Sequence, residues 1–257
     1  MQRYRIEVEF NGRDFVGWQR QSNGLSVQEA VETAIFRFCG QTVTLHGAGR
    51  TDSGVHGLAM TAHFDLMKPA RVDTVRDAIN YHLRPNRVAV VHVAEVGQDF
   101  HARFSAERRH YIYRILNRRS PPALEQGRVW HVPVPLDAGR MSEAAAVLTG
   151  RHDFESFRST QCQADNALRT LDQLDVMREG PEITIRASAK SFLHNQVRIM
   201  VGTLKLVGEQ KWTPTDVEVA LQACDRRAAG PTAPATGLYF VAADYPGDAG
   251  WAAIRAD

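Results

Sequence analysis

Cysteine is scarce in this chain. Its three cysteines, Cys39, Cys162 and Cys224, are far apart and odd in number, which excludes a disulfide framework and any cysteine-based zinc spacing. A reducing cytosol is therefore the expected home. Long apolar runs are missing too. No stretch approaches the roughly 18 residues of a membrane span. The opening MQRYRIEVEF carries Arg3, Arg5, Glu7 and Glu9 where a secretory signal would have its apolar core. Net charge is only +2 over 257 residues, so the total points to no partner. Lysine is rare, accounting for four of the 31 basic residues. Arginine, whose planar fork suits phosphate, carries the rest.

The distribution of that arginine is uneven. The stretch HARFSAERRHYIYRILNRR, residues 101–119, holds six arginines against one glutamate, with Tyr111 and Tyr113 inside it. Basic charge interleaved with aromatics is a nucleic-acid footprint.

Periodicity predicts two α+β halves. YRIEVEF alternates as a strand. GLSVQEAVETAIFRFCG reads as a helix, opened by Ser26 with Glu29 and stopped by Gly40. TVTLHGAG and LAMTAHFDL read as strands, VDTVRDAINYHL as a helix ended before Pro85, and RVAVVHVAEV as a strand. The order is β-α-β-β-α-β. The second half repeats it with one helix added. RHYIYRILN is a strand, DAGRMSEAAAVLTG a helix with Asp137 as N-cap, and LRTLDQLDVMREGPEITIRASAK a hairpin turning at Glu179–Pro181. SFLHNQVRIMVGTLKLVG and TPTDVEVALQACD follow as helices, and GLYFVAADY is the final strand. The expected division is an N-terminal half at 1–104, a C-terminal half at 105–246 and a weakly ordered tail at 247–257, with mostly antiparallel sheets. Residues 152–166 are expected to be a loop near a site.

The most unusual stretch is GAGRTDSGVHG, Gly47 to Gly57. It lacks the lysine of a Walker loop, and Asp52 stands where a dinucleotide fingerprint needs its third glycine. A serine nucleophile elbow would need glycine at Thr51 and Val55. Asp52 with His56 offers a metal no third ligand at defined spacing. Asp52-Ser53-Gly54 matches half of an aspartic protease, but only one copy is present, and Arg50 beside it would hold the carboxylate ionised against proton sharing. A plain glycine-rich turn with Asp52 as a local cap also fits. Two further residues draw attention. Tyr111 shares a strand face with Arg109, Tyr113 and Ile115; a packed tyrosine with its hydroxyl at the rim is the plainer account. Arg198 lies at the margin of the apolar helix face of Phe192, Leu193, Val197, Met200, Val201 and Leu204, where snorkelling is the plainer account.

Taken together these blocks resemble one family. GAGRTDSGVHG is similar to the active-site motif of TruA-type tRNA pseudouridine synthases. YRIEVEFNGRDFVGWQRQ, RRHYIYRI, SFLHNQVRIMVGTL and TAPATGLYFVAADYP resemble that family's other blocks, in the family's order across nearly the whole chain. The departures are small: Gly57 stands where alanine is frequent, and Ala235-Thr236 replace a proline with a histidine or glutamate. The resemblance implies a pseudouridine synthase fold with an active-site cleft between the halves. It implies Asp52 as the essential carboxylate, with Arg50 and Arg198 positioning it and helping to extrude the base. Tyr111 would contact the target uracil and Leu238 would line its pocket. It also implies a cytoplasmic homodimer acting without cofactor or metal on uridines of the tRNA anticodon stem-loop, at positions 38, 39 and 40. A catalytically silent RNA-binding module remains the competing class, since β-α-β-β-α-β is also the RRM pattern, although neither half carries that module's aromatic-rich strand.

Overall fold

The structure is a computed structural model and describes residues 1–247. In chain order the first elements are β1 (Gln2–Phe10), α1 (Val27–Cys39), β2 (His46–Gly47), β3 (His56–Leu66), α2 (Val72–Leu83) and β4 (Val88–Val96). Then come β5 (Arg108–Leu116), β6 (Trp130–His131), α3 (Ala138–Leu148), β7 (Gly150–Asp153), β8 (Leu168–Glu179) and β9 (Glu182–Ala189). The last are α4 (Gln196–Gly208), α5 (Pro214–Gln222) and β10 (Leu238–Asp244). The class is α+β.

Helix ends follow local chemistry. Ser26 accepts the Glu29 N–H at the start of α1, and Gly40 closes it at φ 72°. Asp137 caps α3 by accepting the Arg140 N–H. Thr213 and Asp216 form a reciprocal capping box on α5, with Pro214 in its first turn. α4 begins later than its apolar spacing predicts. Asn195 sits at φ 63°, a left-handed conformation that asparagine tolerates and a helix does not. Gln196 Oε1 meanwhile accepts the Leu193 N–H at 2.9 Å. The expected strand TVTLHGAG shrinks to His46–Gly47. Val43 and Leu45 are buried, so their alternation reports packing without a ladder.

Two compact units are present, one of residues 1–107 with 239–247, the other of residues 108–238. The first holds β4-β1-β3-β10 in that order, with β2 on β3. β1 is antiparallel to both neighbours, and β10 joins β3 in parallel through Tyr239–His56 and Phe240–Gly57. The reading that kept the last strand with residues 105–246 therefore needs revision from Tyr239 onward, because its partner is β3. The expected tail lies, from residue 248 on, outside the described residues. One face of β1 presents Tyr4, Ile6 and Val8 to the core, facing Phe64, Ala62 and Met60 of β3. The second unit holds β5-β9-β8-β7, with β6 parallel to β5. Its helix α3 packs on β8, α4 and α5. Among the described residues no helix is long and apolar enough to cross a membrane.

The other face of β1 is polar. Arg3 clasps Asp65 with two bonds of 2.8 Å and donates to the carbonyls of Gln98 and Phe100. This guanidinium holds the Asp65 carboxyl below the usual carboxylate range. Next to it His63, only 2% exposed, accepts the Ala102 N–H on Nδ1 at 3.1 Å. Burial, with His101 and His46 close by, pushes its pKa down from 6.5 to about 4. Between those values the unfolded chain binds a proton that the folded chain refuses. Stability therefore falls as the pH drops through that window, by on the order of 3 kcal/mol for this group. Urea titrations at pH 7 and pH 4.5 are expected to show a smaller pH effect for His63→Gln than for the unchanged protein. Equal pH effects would contradict the assignment.

Candidate active site

The motif Gly47–Gly57 is laid against the segment that follows β1. The Trp18 N–H donates to the Thr51 carbonyl at 3.0 Å, and Gly17 bridges Asp52 as an antiparallel pair. Ser53 Oγ donates to the Phe15 carbonyl at 3.2 Å, and the Gly12 N–H donates to Nδ1 of buried His56 at 3.2 Å. Within the loop the Val55 N–H closes a turn onto the Asp52 carbonyl. On its other side the Ala48 N–H reaches Thr61 of β3. The imidazole of His56 also stacks on Tyr239, with centroids 4.6 Å apart. Asp52 thus sits half-buried on a loop bonded on both sides.

Helix α1 completes the clamp. Its first two N–H groups, on Val27 and Gln28, donate to the carbonyls of Gly17 and Trp18. A helix start leaves such donors without intrahelical partners, and here they hold the segment that holds the motif. The buried Gln28 side chain adds four bonds, one of them from its nitrogen to Glu32 Oε1. Its oxygen accepts from the Gln19 side chain and the Arg20 N–H, and its nitrogen donates to the Leu45 carbonyl. Neither Gln28 nor His56 stands out in the sequence as a positioning group. A polar residue on the apolar side of a helix was the available signal for Gln28.

Two of the motif's glycines make room for the protein's own rings. A Cβ at Gly47 would lie 2.6 Å from the Trp18 indole, and one at Gly57 would lie 2.3 Å from the Phe10 ring. Arg50, on the same loop, is exposed and makes no side-chain hydrogen bond or ion pair among the described residues.

The other expected site residues belong to the second unit. Tyr111, half-buried on β5, meets Phe192 edge to face at 5.1 Å. Two residues on, Tyr113 is fully buried and its hydroxyl donates to the Pro234 carbonyl at 2.7 Å. Burial pushes that hydroxyl's pKa up, opposed by the positive charge of Arg198. Arg198 lies in the first turn of α4. Its Nε donates to the Ala233 carbonyl and its Nη1 to Asn195 Oδ1, both at 2.8 Å. The Ala233 N–H returns a bond to the Arg198 carbonyl. Arg198 and Tyr113 thus fasten adjacent carbonyls of the segment that leads into Leu238, itself buried. The structure brings Arg50 and Asp52 together on one loop of the first unit; in the second it ties Arg198 to the segment that leads into Leu238 and places Tyr111 against Phe192.

The arginine-rich stretch is less available than its sequence suggests. Arg114 is held by Glu182 with two bonds and by Glu125 with one, and Arg108 pairs with Asp172 at 3.0 Å. Among the described residues no group of three or more His, Cys, Asp or Glu side chains could hold a metal ion.

Comparison with known proteins decides the family. The tRNA pseudouridine synthase family matches residues 6–105 and 144–246. The chain belongs to it. Curated relatives agree over nearly their full lengths. A tRNA pseudouridine synthase A of Rhodospirillum centenum is 60% identical over 95% of this chain and 100% of its own. That of Rhodospirillum rubrum is 57% identical, over 96% of this chain and 89% of its own. That of Mesorhizobium japonicum is also 57% identical, over 96% and 100%. The family blocks contain Asp52, the Trp18 clamp, Arg198 and Leu238.

The clamp yields a direct test. Gly47→Ala forces a methyl into the slot of a buried indole, and is expected to lower unfolding stability by about 1–3 kcal/mol. Denaturant unfolding followed by tryptophan fluorescence reads this; unchanged stability would show that Trp18 is not packed as described.

Proposed function

We propose that this protein isomerises uridine to pseudouridine in the anticodon stem-loop of tRNA, with Asp52 as its catalytic carboxylate. The reaction breaks the N1–C1′ bond, turns the uracil and joins C5 to C1′. The C5 proton is lost and N1 gains one, so the product is an isomer and no electrons are exchanged. No redox cofactor is called for. The target base must leave its stack at a cost of about a few kcal/mol. It must also stay captive between cleavage and rejoining, which an apolar wall at Leu238 and the face of Tyr111 would secure.

The observation that carries this reading is the presentation of Asp52. A carboxylate acting on C1′, on the base or on the C2′ proton must be ionised and held in place. Asp52 has the backbone anchorage for the second requirement, and a guanidinium would supply the first. Arg50, exposed on the same loop, is suited to RNA. Arg198, seated by Ala233 and Asn195, is the second candidate for the charge beside the reacting base. A homodimer in the cytoplasm, with tRNA as partner, completes the proposal.

Tritium at uracil C5 is released only if the C5 proton is lost. The protein is expected to release it from labelled tRNA transcripts. Asp52→Asn, which keeps the shape and removes the charge, is expected to lower the rate about a thousandfold or more, with tRNA affinity within a few-fold. Release by Asp52→Asn at the full rate, or none by the unchanged protein, would overturn the proposal. Binding of tRNA with no modified base would favour a silent RNA-binding module.

A further inference from the structure

The first unit carries an aromatic column that the catalytic reading does not use. At its inner end is the buried His63 ring. The His101 ring stands 4.6 Å from it, and the Phe104 ring 4.4 Å from His101. His46, exposed, lies 4.9 Å from His63 and 5.3 Å from His101. The Arg103 guanidinium lies 5.7 Å from the Phe104 centroid. Phe104 is 76% exposed, so the column runs from the core to solvent and ends in an open phenyl face.

That face is held rigidly. His101 Nδ1 accepts both the Arg103 and the Phe104 N–H, at 3.1 and 3.3 Å. The His101 N–H donates to Ser105 Oγ and the Ser105 N–H returns to the His101 carbonyl. The Ala102 carbonyl accepts from Tyr245 and the Ala102 N–H donates to His63. Residues 101–105 are therefore a pinned turn. The same bonds occupy Nδ1 of both His63 and His101, which removes those nitrogens from any metal. A stiff, exposed aromatic ring beside a guanidinium is the platform on which unpaired bases stack, whatever their identity. Flat imidazoles behind it and a guanidinium within cation–π distance of it suit an electron-rich base and its phosphate. The position also fits. His46 directly precedes the motif bearing Asp52, so an RNA chain reaching that loop passes close to the residue beside the platform.

We propose that Phe104, backed by His101 and flanked by Arg103 and His46, is a stacking site for an unpaired base of the RNA substrate, outside the pocket of the reacting uridine. This rests on the tRNA reading above.

The test uses the full chain and unmodified tRNA transcript. Phe104→Ala is expected to weaken tRNA binding about 5- to 100-fold, with kcat/KM falling in parallel and the slope of affinity against salt unchanged, since no phosphate contact is lost. Phe104→Trp is expected to keep affinity, and its added indole fluorescence to be quenched when tRNA is added. Phe36→Ala removes another exposed ring, on α1, and is expected to leave affinity within twofold. Unchanged affinity for Phe104→Ala, or a change in oligomeric state by light scattering in place of affinity, would overturn the proposal. The second outcome would assign the ring to an interface between copies. Tritium release by the unchanged protein keeps the two readings apart. If it occurs while Phe104→Ala binds normally, only the stacking site fails.

Discussion

A short length of backbone governs where Asp52 sits. Residues 12–18 must lie against residues 47–57 for Asp52 to have a defined position. The contact is made by main-chain bonds at Gly17 and Trp18 and by the Gly12 N–H on the His56 ring, each worth about 0.5–1.5 kcal/mol net. It is sealed by a buried indole that fits only because residue 47 lacks a side chain. Helix α1 supports it from behind with donors that every helix start has in excess. A carboxylate on an unsupported glycine-rich loop would sample many positions. Here the glycines at the two ends of the motif, Gly47 and Gly57, are packed against Trp18 and Phe10, which fixes where the loop starts and stops.

The second unit uses the same device with other groups. Arg198 and Tyr113 each spend a polar atom on a carbonyl of the 233–234 segment, fixing the lead into Leu238. Tyr111, one alternation away on the same strand face, is half-buried against Phe192.

Much of the fold was legible because it is written locally. The caps Ser26, Asp137 and Thr213 and the turn at Gly180 depend on neighbours a few residues away. What escaped was non-local. The partner of β10 is chosen by a strand nearly two hundred residues earlier, and no local pattern records that. The short β2 carried a strand's alternation without a ladder to match. The late start of α4 turned on the backbone of one asparagine. In the site, Asp52 was visible because its surroundings are odd, and the family resemblance supplied the rest. That Gly47 and Gly57 are slots for Trp18 and Phe10 was not legible, because a sequence cannot say which ring fills a gap. The arginine run overstated its free charge, since Glu182 and Glu125, which neutralise Arg114, lie elsewhere in the sequence.

Native-state hydrogen exchange tests the central constraint most directly. If the clamp is as described, the amides of Trp18, Val27, Gln28 and Val55 exchange only as slowly as those of the β1–β3 ladder, through global unfolding. If those four amides exchange orders of magnitude faster than the ladder, the Asp52 loop is not held by this packing, and the account of its chemistry fails with it.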